Sequence, residues 1–389
     1  MKIKVMFSVL SRANYSRIKS LIIQSYKDDH IDPIVIIGCG AICEEYGSII
    51  SECKKDGIKI NESISILMHE KSKENMIRTT ALGMIDFSRI LNKYNPDIAI
   101  TIADRYETIS FAISCSFMNI PLIHLQGGEP TGSIDDKVRN SITQLADYHL
   151  VCTKDARDRL IKWGECEERV FNVGCPSLDH IEKNKNTKDL KLKINQINLK
   201  KNVEINIEKK YLVLLFHPDT NKPHQEFEIV IKALKDFCEE KLIDLVILNP
   251  NPDFGSKEIQ KIIESVNSEK SNTNNLKSKI IILKNLNSYD YINLIQGAEI
   301  LAGNSSSGIR ESSFLGIKSL NIGSRQQFRY KCENVLDVDI FYESIYEGLE
   351  NRLSIQNPKE NYAYGDGNSS KKIIDLLKKI KFTIKNTKL

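Results

Sequence analysis

The chain has 389 residues, enough for two or three domains at about 150 residues each. Hydrophobic residues make up 41% and charged residues 27%, the balance of a globular protein with one or two full cores. The 55 Lys+Arg and 51 Asp+Glu leave a formal charge of +4, interleaved along the chain, which argues against a nucleic-acid or membrane-surface partner. The Lys-rich stretches 183–201 and 371–388 read as solvated helix faces or linkers. Nine cysteines, at 39, 43, 53, 115, 152, 166, 175, 238 and 332, form no CxxC pair and no zinc spacing, so reduced thiols, several buried as small hydrophobes, are expected. The apolar stretch before Ser11-Arg12 is short for a secretory signal. No run of about 18 apolar residues is present, and a cytoplasmic protein is expected.

In chain order, Ile- and Val-rich runs at 3–9, 33–39, 97–102, 121–125, 149–152 and 170–173 predict buried parallel strands. Between them, 15–27, 45–55, 73–92, 106–118, 135–146 and 154–163 predict helices, the last with Thr153 as its N-cap. Residues 182–209, rich in Lys, Asn, Glu and Ile, predict a surface helix and linker. Alternation resumes with strands at 211–216, 244–248, 279–283, 300–302 and 319–322. Helices follow at 226–239, 256–265, 289–296, 307–315 and 341–351, with a polar loop at 267–277 and a basic amphipathic helix at 369–384. This β-α-β-α order predicts two doubly wound α/β domains, with chemistry at the carboxyl ends of strands and in the cleft between them.

The chemistry-bearing residues do follow strands. Neither GxGxxG nor GxxxxGK[ST] occurs, which argues against a dinucleotide enzyme and a P-loop NTPase. Arg12 follows the first strand and can reach a phosphate or base. Asp104-Arg105 follows the strand at 97–102, where Asp104 either caps the next helix or handles protons beside an anion-binding arginine. His124-Leu125-Gln126-Gly127-Gly128-Glu129 ends another strand, its glycines permitting close backbone approach. Asp136 and Arg139 fall three apart on one helical face. Asp104, Glu129 and Asp136 thus offer three carboxylates for proton abstraction and donation. In the second half, Pro218 fixes His217 at a strand mouth as an acid or phosphate ligand. The segment 249–253, with Asn251, can read a base edge. Gly303-Asn304-Ser305-Ser306-Ser307-Gly308 opens a helix, a ready diphosphate site, with Glu311 placed for two ribose hydroxyls. Arg325 adds a cation after the next strand.

The set Ser11-Arg12-Ala13-Asn14-Tyr15-Ser16, Asp104-Arg105, His124-x-x-Gly127-Gly128-Glu129, Ile134-Asp135-Asp136 with Arg139, Gly174-Cys175-Pro176-Ser177, His217-Pro218, Gly303-Asn304-Ser305-Ser306 with Glu311, Gly323-Ser324-Arg325-Gln326 and Tyr364-Gly365-Asp366-Gly367-Asn368 resembles the hydrolysing UDP-N-acetylglucosamine 2-epimerase family. Its sialic- and legionaminic-acid branch, with the epimerase half of the animal bifunctional enzyme, is most similar. The resemblance spans residues 1–380. It implies a GT-B-like fold of two Rossmann-like domains, 1–180 and 181–368, with the active site in the cleft between them and the helix at 369–389 packed back on the first. It also implies elimination of UDP across C1–C2 of UDP-N-acetylglucosamine and hydration of the glycal to N-acetylmannosamine. No metal or redox cofactor is needed, and the protein would be a homodimer or homotetramer. Arg12, Ser16, Asn251, Ser305, Ser306, Glu311 and Arg325 would hold UDP. Gly174 would lie along the nucleotide sugar, with Arg105 and Arg139 near phosphates or sugar. Asp104 and Asp136 would be the acid–base groups, and His217 the acid assisting UDP departure.

Two positions depart from the family. Gln126 stands where a carboxylate is common, and an amide cannot shuttle a proton, so that role is absent or moved to Glu129. Asn14 replaces an aspartate. The same chemistry on UDP-N,N′-diacetylbacillosamine is the near alternative. A GT-B glycosyltransferase and a non-catalytic nucleotide-sugar sensor, the latter motivated by Gln126, are the more distant ones.

Overall fold

The computed structural model describes residues 2–44, 48–68, 72–132, 135–184, 191–196, 201–206, 209–218, 226–250, 255–269, 278–283, 286 and 288–385. They sort into two compact units. Unit 1 comprises Met1–Pro130, Ile134–Glu182 and Ala363–Leu389, and unit 2 comprises Thr131–Ser133 and Lys183–Tyr362.

Unit 1 is built on strands β1 (Ile3–Val9), β2 (Ile31–Gly38), β3 (Glu62–Ile64), β4 (Ile98–Ile102), β5 (Leu122–Leu125), β6 (Tyr148–Val151) and β7 (Val170–Asn172). They form one parallel sheet in the order β3-β2-β1-β4-β5-β6-β7. The order reverses between β1 and β4, the switch point of a doubly wound fold. Alternate side chains of β1 face opposite sides of the sheet. Val5, Phe7 and Val9 join a core with Ile18, Leu21 and Ile22 of helix α1 (Arg12–Lys27), whereas Met6 packs on the far side. That second core holds Phe87, Ile90 and Leu91, and Phe111. These belong to the helices that follow α2 (Ile50–Lys55): α3 (Lys73–Tyr94) and α4 (Thr108–Phe117). Both faces being covered explains why β1, β2 and β4 read as near-continuous apolar runs.

Helices α5 (Asp135–Leu145), α6 (Lys154–Lys162) and α7 (Leu178–Asn184) complete the first pass. Thr153 caps α6, its hydroxyl accepting from the Ala156 N–H at 3.1 Å. Residues 191–196 and 201–206, expected as helix and linker, instead form an antiparallel pair, β8 (Lys191–Gln196) and β9 (Lys201–Asn206). Their Lys/Asn-rich sequences hide an alternation, Leu192 and Ile194 in β8 and Val203 and Ile205 in β9, a period-two signal.

Unit 2 repeats the design with β10 (Tyr211–Leu215), β11 (Asp244–Leu248), β12 (Ile280–Leu283), β13 (Ile300–Gly303), β14 (Ser319–Ile322) and β15 (Val335–Val338). The parallel order β12-β11-β10-β13-β14-β15 matches the first six of unit 1's seven strands, with the switch between β10 and β13. Helix α8 (Glu226–Lys241) contributes Phe227, Val230, Leu234 and Phe237 to one core. Helices α9 (Ser256–Glu269), α10 (Ser288–Gln296) and α11 (Arg310–Leu315) follow, then α12 (Tyr342–Ser354), which adds Ile345 and Leu349 to the same core.

The chain then returns to unit 1. Helix α13 (Ser369–Lys379) buries Ile373, Ile374 and Leu377 in the core shared with α1. The Asp179 carboxylate accepts from the Ser369 and Ser370 N–H groups at 2.8 and 2.7 Å, closing the start of α13 onto α7. No helix among the described residues is long and apolar enough to cross a membrane.

Close approach at the rim of unit 2 depends on Gly303. Its φ is +132°, and a Cβ there would overlap the Leu215 carbonyl. Gly303→Ala is therefore expected to destabilise the protein by about 3 kcal/mol, from backbone strain plus overpacking. Urea unfolding measures this, and an unchanged midpoint would contradict the reading of Gly303.

Candidate functional site

The carboxyl rim of unit 1 is where backbone strain gathers. Cys39, Ala103 and Gln126, the residues after β2, β4 and β5, all have left-handed φ values of +51°, +67° and +65°. Such conformations in non-glycine residues cost about 1–3 kcal/mol each and persist where the surroundings impose them.

Asp104, which follows Ala103, does not cap α4. The N-cap of that helix is Glu107, without a side-chain capping bond. The Asp104 carboxylate instead takes the Nη2 end of the Arg139 guanidinium. Arg139 Nη1 donates to Asp136 Oδ1 at 2.5 Å and to the Glu129 carbonyl. The Arg139 side chain is 1% exposed, against 15% for Asp104 and 24% for Asp136. One buried cation therefore fixes two partly accessible carboxylates and the loop carrying a third. A guanidinium suits this because its planar fork serves several acceptors at once.

His124 lies beneath this cluster. Its ring is fully buried, with Nε2 2.9 Å from the Ala103 carbonyl and Nδ1 3.0 Å from Thr143 Oγ. The carbonyl can only accept, so Nε2 carries the proton and the Thr143 hydroxyl donates to Nδ1. Burial pushes the imidazole down to about 4. The unfolded chain binds this proton near 6.5, so the neutral ring's contribution is full above that value. It is lost as pH falls from there towards 4, by about 3 kcal/mol in all. Urea titrations of wild type and His124→Gln are expected to diverge over this window, with wild type losing more. Parallel declines would contradict the assignment.

Other expected site residues of unit 1 lie in separate contacts. Arg12, the first residue of α1, pairs with Glu52 at 2.7 Å. Ser16 is exposed, its hydroxyl donating to the Ala13 carbonyl. Arg105 Nε donates to the fully buried Glu107 at 2.5 Å. Gln126 accepts from Arg17 at 3.3 Å and points its amide nitrogen at Cys175 Sγ, 3.2 Å away. Gly174, at φ +84°, lies against Gly365, where a Cβ would approach the Gly365 Cα to 2.7 Å. The Cys175 N–H donates to the Tyr364 carbonyl at 2.7 Å, which joins two motifs far apart in sequence. Sequence reasoning passed over Glu107, Arg17 and Thr143. Thr143 stands one helical turn beyond Arg139, the spacing that could have pointed to it.

In unit 2 the switch point is closed by Asn304. Its side chain accepts from the His217 N–H at 2.7 Å and donates to the His217 carbonyl at 2.8 Å. Its own carbonyl accepts from Arg325 Nη1 and Gln326 Nε2, each at 3.1 Å. His217 and Arg325 are thus held to one residue. Ser305 accepts from the Ser307 N–H. Ser306 begins a short 3-10 turn, and Glu311 follows in the first turn of α11. The helix expected over 307–315 is thus split in two. Asn251 lies outside the described residues.

The family model for UDP-N-acetylglucosamine 2-epimerase matches residues 24–378. The chain belongs to the UDP-N-acetylglucosamine 2-epimerase family. This 2-epimerase family member is 30% identical to a UDP-N,N′-diacetylbacillosamine 2-epimerase (hydrolyzing) of Legionella pneumophila, over 97% of this chain and 96% of the relative. It is 32% identical to a GDP/UDP-N,N′-diacetylbacillosamine 2-epimerase (hydrolyzing) of Campylobacter jejuni, over 92% and 90%. A UDP-N-acetylglucosamine 2-epimerase of Neisseria meningitidis is 23% identical over 92% and 90%. The fold is that of the solved Neisseria meningitidis UDP-GlcNAc 2-epimerase bound to UDP-GlcNAc, at TM-score 0.78 and 17% identity over 97% of this chain and 100% of that one. It is also that of the Methanocaldococcus jannaschii UDP-GlcNAc 2-epimerase in complex with UDP-GlcNAc and UDP, at TM-score 0.76 and 16% identity over 97% and 99%. The two Rossmann-like units of this family member are thus those of a GT-B-like fold.

Proposed function

We propose that the protein removes UDP from a UDP-linked 2-acetamido sugar by elimination and hydrates the resulting glycal to the free 2-epimer. The observation that carries this reading is the pair of carboxylates, Asp104 and Asp136, held on the buried Arg139. Elimination and rehydration at one carbon need two proton-handling groups fixed relative to each other.

In the first step a carboxylate of this set takes the C2 proton. The C2–H electron pair becomes the C1–C2 double bond, and the C1–O bond breaks with its pair leaving on UDP, assisted by a proton from His217. In the second step water adds its oxygen at C1 and a proton returns to C2 on the opposite face. We assign the proton transfers to Asp104 and Asp136, with Glu129 as the third carboxylate. The amide of Gln126 orients the sugar rather than moving a proton. Arg105 and Gly174 line the sugar or phosphates, while Arg139, 1% exposed, acts through the Asp104 and Asp136 carboxylates it holds. Arg12, Ser16, Asn251, Ser305, Ser306, Glu311 and Arg325 hold UDP.

Among substrates, the names of the 30% and 32% identical relatives favour UDP-N,N′-diacetylbacillosamine. UDP-N-acetylglucosamine is the second reading, supported by the name of the 23% identical relative. Side-by-side kcat/KM values on the two sugars test this. A ratio above about tenfold, some 1.4 kcal/mol of transition-state discrimination, is expected for diacetylbacillosamine. A ratio reversed in favour of the glucosamine sugar would overturn the substrate assignment.

A further inference from the structure

Beneath the two carboxylates, His124 does something that neither acid–base nor binding chemistry requires. It is fully buried and both ring nitrogens are taken by protein groups, so neither is left to bond substrate. Its two nitrogens bond to different segments. Nε2 donates to the carbonyl of Ala103, the strained residue immediately before Asp104. Nδ1 accepts from Thr143, one turn along α5 from Arg139 and two turns from Asp136. The third segment crosses just above the ring. A Cβ on Gly127 would stand 2.9 Å from Thr143 Oγ and 3.0 Å from His124 Nδ1. Only a residue without a side chain lets the Gly127-Gly128-Glu129 loop lie that close over the pair.

We infer that His124 is a positioning residue, a neutral crosslink that sets the spacing of Asp104 against Asp136 and Arg139 and so controls the chemical step without touching substrate. The three segments it joins are the three that carry Asp104, the Glu129 loop, and Asp136 with Arg139. The ion pairs between those groups do not by themselves fix the backbones. A carboxylate on a flexible loop can follow a guanidinium through many loop conformations, and each costs reaction geometry. A short, directional bond to the Ala103 carbonyl pins the left-handed turn instead. The fully buried imidazole, kept neutral by desolvation, keeps one donor and one acceptor, which this geometry needs. Displacements near 1 Å at reacting groups cost about a hundredfold in rate.

The inference rests on the epimerase reading, and its test separates the two. Wild type, His124→Gln, Thr143→Val and Thr143→Ser are assayed for kcat, KM and UDP affinity on both UDP-sugars, with thermal melts recorded beside them. His124→Gln and Thr143→Val are expected to lower kcat by about tenfold to a hundredfold. KM and UDP affinity should stay within about threefold of wild type, and Thr143→Ser, which restores the hydroxyl, should recover most of the rate. Thr143→Val carries the test if the histidine variant does not fold. Thr143→Val and folded His124→Gln each with wild-type kcat would overturn the inference while leaving the epimerase reading intact. So would losses in KM alone, or a Thr143→Ser variant as slow as Thr143→Val. An inactive wild type would overturn the epimerase reading and this inference with it.

Discussion

Replacing Arg139 with leucine is expected to lower the free energy of unfolding by about 3–5 kcal/mol and to abolish turnover. The guanidinium is buried and holds Asp104, Asp136 and the Glu129 carbonyl together. Its loss removes the cation that both carboxylates share and a donor to the Glu129 carbonyl. Arg139→Lys keeps the charge but not the fork, and should recover part of the stability and little of the rate. The triple variant Arg139→Leu with Asp104→Asn and Asp136→Asn removes the uncompensated charge, so its stability should return towards wild type while activity stays lost. Urea midpoints and turnover measured on the same preparations check this. A single Arg139→Leu variant with an unchanged midpoint would show that the cluster contributes nothing to the fold.

The second large effect is expected at His217. His217→Asn should cut kcat by about 10²–10⁴, the usual contribution of a positioned general acid, with UDP affinity nearly unchanged. The Asn304 side chain bonds to both backbone groups of His217, and asparagine keeps those groups, so the rim of unit 2 should survive the substitution. Calorimetric UDP binding together with single-turnover kinetics separates the two quantities. A kcat within about threefold of wild type would exclude His217 as the acid, since even weak acid catalysis exceeds that.

Much of the fold was legible because its strands are buried on both faces. The runs at 3–9, 97–102, 211–216 and 244–248 are rich in Ile, Val and Leu and match β1, β4, β10 and β11 to within a residue. The elements that escaped are those whose sequence speaks weakly. The strand β3 is Glu-Ser-Ile at a sheet edge, and β15 is a half-buried edge strand interrupted by Asp337. The antiparallel pair β8 and β9 is masked by lysines and asparagines between its apolar positions. At the candidate site, the i, i+3 spacing of Asp136 and Arg139 pointed to their ion pair. Nothing in the spacing could reveal that Asp104, 35 positions before Arg139, would be the other partner. Likewise the role of Asn304 as a clamp on His217 spans 87 positions. Long-range polar contacts of this kind are set by sheet order, which places β4 beside β5 and β10 beside β13, and not by local pattern.

Incubation with a UDP-sugar in heavy water distinguishes elimination and rehydration from simple hydrolysis. Because the C2 proton leaves and a solvent proton replaces it, UDP release is expected together with a 2-epimerised sugar carrying deuterium at C2. UDP released with the original hydrogen still at C2 would contradict elimination.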